Sequence, residues 1–194
     1  MNSLHERPGV YSVYDTSSVV SGGRAVQAIG VAAKAARGAA EKPVTVTGYA
    51  AGAAAFGEDQ TAGMNILLRL LFAGGASTVT AVRVADEGTA EDYERAFAAL
   101  GKEDVRVLVC DSGDEAVQQA LRSAVESASA LRRERIAVVG CDGAGVTELI
   151  ARAEALNSER MVLVGPDALD SGGNPLSGVF AAEEVAALAA AGGD

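Results

Sequence analysis

At 194 residues, 49% of them hydrophobic and 23 of them glycine, the chain carries enough apolar material for a sizeable core, which excludes wholesale disorder. A formal net charge of −10 argues against nucleic acid and against an anionic membrane surface as partners. No apolar run reaches the roughly 20 residues of a membrane span, the leader MNSLHERPGVYS lacks an apolar signal segment, and two cysteines supply no disulfide framework, so synthesis in a reducing cytoplasm is expected.

Residues 1–9 are polar. Val10 to Tyr14 (VYSVY) is β-prone and lies between Pro8-Gly9 and Asp15-Thr-Ser-Ser, so a strand there has no local partner and must pair with something remote. Ala25 to Lys34 fits helix or strand, and the β-branched Val26, Ile29 and Val31 around Gly30 favour strand. Val44 to Thr47 reads as a short strand and Tyr49 to Phe56 as a short helix stopped by Gly57. Met64 to Phe72 is apolar almost all the way round a helix, which predicts burial on most of its surface; Ala73-Gly74-Gly75-Ala76 stops it. Thr78 to Val84 then alternates, with Val79, Ala81 and Arg83 on one face and Thr80, Val82 and Val84 on the other, as a central strand would.

Beyond Val84 the alternation becomes regular. Thr89 is an N-cap for a helix reaching about Leu100, Val105 to Val109 is a strand, and Asp114 to Leu131 is a long helix with Val117, Leu121, Ala124, Ala128 and Leu131 at helical spacing. Arg135 to Gly140 is a strand, Val146 to Leu156 a helix with Val146, Leu149, Ile150, Ala153 and Leu156 on one face, and Arg160 to Val164 a further strand. A Gly/Pro-rich loop from Asp167 to Gly178 leads to a last helix over Ala181 to Ala190, and Gly192-Gly193 after it is a connector that normally leads on, so the chain is expected to be truncated there. Strands alternating with helices predict an α/β fold, a mainly parallel sheet covered by helices on both faces.

Residues with chemical potential gather where such strands end. Cys110-Asp111 and Cys141-Asp142 close two strands, and Asp167 with Asp170 follows a third, at the edge where α/β proteins bind ligands. Three carboxylates there could hold Mg²⁺; the favoured reading is that each caps the helix that follows, as an acidic group at a helix N-terminus does. The turn Gly140 to Gly145 stands where a phosphate loop belongs but lacks the GxGxxG order, and no GxxxxGK[ST] is present. Cys110 and Cys141 read as buried space-fillers in the absence of CxxC spacing. The single histidine is His5 in the leader, and no GxSxG elbow exists, so a hydrolytic triad is not expected.

Taken together, Glu6-Arg-Pro-Gly-Val-Tyr11 and Leu71-Phe-Ala-Gly-Gly-Ala76 followed by Val79 to Val84, with its closing Arg83-Val84 pair, resemble the contractile-tail sheath family of phages and phage-like injection machines. The Ala-rich Ala186 to Gly192 is similar to that family's core-ending helix. The resemblance implies a structural, non-enzymatic subunit that uses no cofactor and no metal. It implies an extended N-terminal arm over residues 1–22, a core that is subtilisin-like in outline over residues 23–194, and helical assembly with other copies around a tail tube protein in a particle. The arm residues Val10, Tyr11, Ser12, Val13 and Tyr14 would then form the subunit interface by adding a strand to a neighbour. The other reading left open by the residues is a small α/β nucleotide- or metal-binding enzyme domain built on Asp111, Asp142, Asp167 and the Gly140 to Gly145 turn.

Overall fold

Local sequence decides most of the elements, and a computed structural model shows how they assemble; it describes residues 28–85, 87–142, 145–169 and 175–191. The order is β1 (Ile29–Ala33), β2 (Pro43–Val46), α1 (Tyr49–Phe56), α2 (Gly63–Ala73), β3 (Val79–Arg83), α3 (Ala90–Leu100), β4 (Val107–Cys110) and α4 (Glu115–Ala130). It continues with β5 (Ile136–Gly140), α5 (Val146–Leu156), β6 (Met161–Val164), the short strands β7 (Ala168–Leu169) and β8 (Pro175–Leu176), and α6 (Gly178–Ala191). Among the described residues six strands form one sheet in the order β2-β3-β1-β4-β5-β6, parallel throughout except for β2, which runs antiparallel to β3. β7 and β8 make a separate antiparallel pair. The alternation read from the sequence is therefore an α/β fold with a mainly parallel sheet.

Parallel strands must be covered on both faces, because crossover helices occupy both. The residues alternate accordingly. Ile29, Val31 and Ala33 of β1, Val79 and Ala81 of β3, and Val107 and Val109 of β4 face a layer built from Phe56 of α1, Met64, Leu67, Leu68 and Leu71 of α2, and Ala182, Ala186, Ala187 and Ala190 of α6. On the opposite face Ala32, Val82, Leu108, Ala137 and Val139 meet Tyr93, Phe97 and Leu100 of α3 and Val117, Leu121 and Val125 of α4. The alanines of α6 let that helix lie close to both α2 and the sheet: a Cβ on Gly74, which ends α2, would come within 2.7 Å of the Ala187 Cβ. β3, expected to be central, is internal but lies next to the β2 edge; β1 holds the centre between β3 and β4.

Helix ends are closed by side chains. Thr89 accepts a hydrogen bond from the Asp92 amide at 3.3 Å while the Asp92 carboxylate accepts from the Thr89 amide at 2.9 Å, a reciprocal cap on α3. At the other end of α3, Arg135, only 4% exposed, donates to the carbonyls of Leu100, Gly101 and Glu103, and Arg133 donates to those of Gly101, Lys102 and Glu103. Two cations thus bind the carbonyls of Leu100, at the end of α3, and of the turn that follows it, and oppose the negative dipole end of the helix. Thr89→Ala removes one half of the cap and is expected to cost about 1 kcal/mol, a fall of a few degrees in Tm; an unchanged melting curve would show the cap to be idle.

Two apolar stripes read from the sequence reach the surface. Leu131, expected inside the long helix at the spacing of its apolar positions, lies just past its end at Ala130 and is 75% exposed, and Val125 is buried on the stripe instead. The apolar face of α5 is formed as expected, yet Val146 is 71% and Ile150 55% exposed, and Leu156 alone of that face is buried. The reason is position: α5 hangs at the flank of the sheet beside the terminal strand β6, with α4 as its main helical neighbour.

Candidate functional site

The carboxyl ends of β1, β4 and β5 form one edge, as the parallel registers require. Asp111, directly after β4, does not cap the helix that follows. Its two oxygens reach sideways: Oδ2 accepts from the Lys34 amide at the end of β1 at 3.0 Å, and Oδ1 accepts from the hydroxyl of the buried Tyr93 at 2.5 Å. The Lys34 carbonyl in turn accepts from the Met64 amide in the first turn of α2. Gly63, the first residue of α2, leaves the room this requires, since a Cβ there would sit 2.0 Å from the Asp111 Oδ2. One carboxylate therefore ties together β4, β1, α3 and the start of α2. Burial raises its pKa above the ordinary value, against the lowering effect of the Tyr93 and Lys34 hydrogen bonds. The same burial and the neighbouring Asp111 charge push the Tyr93 hydroxyl far up, so it stays protonated and donates.

Capping of α4 falls to Asp114, whose Oδ1 accepts from the Ala116 amide at 2.7 Å. At the start of α5 the Glu148 carboxylate accepts from the Gly145 amide at 3.1 Å. At the start of α6 Asp167 accepts from the Gly178 amide at 2.8 Å, and the Ser177 hydroxyl accepts from Val179 while donating to Asp142. Asp142 and Asp167 thus brace the segment entering α6. Asp170 lies outside the described residues.

Between α4 and α5 an open cleft of about 660 Å³ is lined by Gly113, Asp114, Glu115, Cys141, Asp142, Glu148, Ala151 and Arg152. Its floor is a closed polar chain. Fully buried Gln118 donates to the Gly140 carbonyl at 2.9 Å and accepts from Arg152, which also donates to the Gly113 carbonyl. Sequence reading missed Gln118, Arg152 and Tyr93; the signal for Gln118 was a polar residue in the apolar stripe of α4, three positions before Leu121.

The N-termini of α3, α4, α5 and α6, where a phosphate would bind, already hold Asp92, Asp114, Glu148 and Asp167. Among the described residues no group of three His, Cys, Asp or Glu side chains is placed to hold a metal ion. Cys110 and Cys141 are both buried, and the Cys110 thiol donates to the Ser112 carbonyl at 3.7 Å. The arm residues Val10, Tyr11, Ser12, Val13 and Tyr14 lie outside the described residues. No helix among the described residues is long and apolar enough to cross a membrane.

Six strands in this order, with α1, α2 and α6 on one face and α3 and α4 on the other, make a fold found among tail sheath proteins of contractile systems. The sheath tail protein of Desulfitobacterium hafniense superposes with a TM-score of 0.68 over 94% of this chain and 62% of its own, at 11% identity. That of Listeria innocua gives 0.66 over 87% and 57%, at 12% identity. The helical sheath of the anti-feeding prophage in its contracted state gives 0.56 over 93% and 52%, at 14% identity. This chain thus spans between half and two thirds of the length of those proteins. No protein-family model and no curated protein matches the sequence.

Proposed function

We propose that the chain is the structural, non-enzymatic core of a contractile-tail sheath subunit that assembles with other copies around a tail tube in a phage-like particle. The observation that carries the reading is the likeness to sheath proteins, which extends over nearly the whole chain. The carboxyl edge supports it, because carboxylates that an enzyme of this architecture would turn to catalysis are spent here on amides and hydroxyls of the protein itself. In this reading residues 1–22 are an arm, residues 23–194 a core, and Val10 to Tyr14 a strand donated to a neighbour, with main-chain hydrogen bonds supplying the affinity.

Light scattering on the chain with and without residues 1–15 tests it. Oligomers from the full chain and monomers from the trimmed one are expected; monomers of equal stability from both would remove the arm from the mechanism. Thermal melting with Mg²⁺ and with nucleotides tests the enzyme alternative, since a ligand that binds only the native state raises the midpoint. No shift is expected with either, and a saturable rise would replace the sheath reading with a ligand-binding one.

A further inference from the structure

At the end of the sheet opposite the carboxyl edge, basic residues gather in a chain that is acidic overall. Arg106 and Arg135 stand just before β4 and β5, and Arg132 and Arg133 lie in the turn that follows α4. With Asp104 and Glu134, these four arginines line one hollow of about 80 Å³. Their charge is poorly answered from within the chain. Glu134 is taken up by Arg160 and by the Ser129 hydroxyl, and Asp104 reaches Arg106 only at 3.7 Å. Arg133 and the buried Arg135 donate to neutral carbonyls, and among the described residues neither they nor Arg132 forms an ion pair. Burial first, and then the Arg133 and Arg106 charges, hold the Arg135 guanidinium below its usual pKa, with Asp104 opposing. A chain with 26 acidic and 16 basic residues has carboxylates to spare, so this cluster marks a face whose counter-charge comes from outside.

We propose that this arginine edge docks, head to tail, onto the carboxyl edge of a second copy. The proposal rests on the self-assembly in the function proposed above and adds which faces meet. The open cleft between α4 and α5 presents Asp114, Glu115, Asp142 and Glu148 around one cation, Arg152. Capping an amide does not neutralise a carboxylate, and Glu115 is exposed. The two faces stand at opposite ends of α4, whose 16 residues span about 24 Å. Charge selects the pairing. Copies at net −10 repel, as do two arginine edges or two acidic clefts; the basic edge against the acidic cleft is the attractive combination. Arginine suits it, because the guanidinium fork binds a carboxylate through two parallel hydrogen bonds. Different patches meet in such a contact, so each copy keeps one face of either kind for the next, the condition for a ring or an open helical array.

Charge reversal in the full chain, read by light scattering at low salt, tests the contact. Arg132→Glu and Glu115→Lys alter exposed residues, so both variants are expected to keep the wild-type melting point. They move the net charge in opposite directions, yet each is expected to weaken self-association roughly tenfold or more, because like charges now meet. Glu94→Lys, exposed on α3 and outside both faces, should leave it unchanged. An equal mixture of the two variants, and a chain carrying both substitutions, should recover wild-type association, since each new lysine then faces a new glutamate. Loss in both single variants with recovery in the mixture supports the proposal. Loss with Arg132→Glu alone, without recovery, overturns the cleft as its partner. Oligomers that survive high salt and both reversals overturn the contact and leave the assembly reading standing. A chain that stays monomeric at low salt overturns both. Inorganic phosphate that raises the melting point of the wild type but not of Arg132→Glu, with particle size unchanged, gives the hollow to a free anion and likewise overturns the contact.

Discussion

Gly140→Ala is expected to abolish folding of the sheet or to lower its Tm by 10 °C or more. A Cβ at Gly140 would sit 1.8 Å from the Gly178 carbonyl oxygen and 2.3 Å from its carbon, and both are backbone atoms that cannot rotate away. Gly140 ends β5 and Gly178 begins α6, so the clash separates the sheet from the helix that covers one of its faces. Relief requires moving α6, which carries Ala182, Ala186, Ala187 and Ala190 into the core, so the cost is expected at or above the upper end of the about 1–3 kcal/mol typical of overpacking with backbone displacement. Gly145→Ala is the control, since nothing lies within 4 Å of its Cβ position and its φ is −71°. That substitution should be neutral or stabilise by up to about 1 kcal/mol. Thermal melts of the two variants decide the matter, and a Gly140→Ala chain melting with the wild type would mean that β5 and α6 do not approach as closely as described.

Asp111→Ala should cost about 2–4 kcal/mol, because it leaves the buried Tyr93 hydroxyl and the Lys34 amide without the acceptor they now share. Asp111→Asn discriminates the loss of these bonds from the loss of charge. Its oxygen accepts from Lys34, and its amide donates to the Tyr93 hydroxyl, which can turn to accept. The sign with pH follows from the raised pKa of the native carboxyl. Between the unfolded value of about 4 and the raised native value, the folded chain binds more protons than the unfolded one, so the wild type loses stability as pH rises through that window and is flat above it. Asp111→Asn has no such slope. Denaturant titrations from pH 4 to 8 should therefore show the Asn variant gaining on the wild type as pH rises; a difference independent of pH would deny that burial strains this carboxylate.

Elements whose signals are local could be read before the structure. Tyr49 to Phe56 with Gly57 after it, and Thr89 ahead of α3, carry their own start and stop chemistry. Alternation in Val79 to Val84 also told which side chains face which layer, because a strand has a period of two. Strand order was not legible, since β1 pairs with β3 and β4 across long stretches of chain that no local pattern records. Asp111 shows the same limit at the candidate site. Its neighbours Ser112 and Gly113 suggested a cap, while its partner Lys34 lies 77 positions away. The α5 stripe was legible as apolar and its exposure was not, because periodicity says that a helix has a greasy side and not what lies against it.

The layer against α2 has a consequence for how the chain is made. Leu67, Leu68 and Leu71 of α2 are sealed in part by alanines of α6, which follow roughly 100 residues later in synthesis, a delay of about 5–20 s at ordinary elongation rates. During that interval the emerging polypeptide holds a leucine-rich surface with its cover still on the ribosome. A chaperone that engages nascent chains would therefore find its window between the appearance of α2 and the emergence of α6, and would lose its footing as that last helix docks.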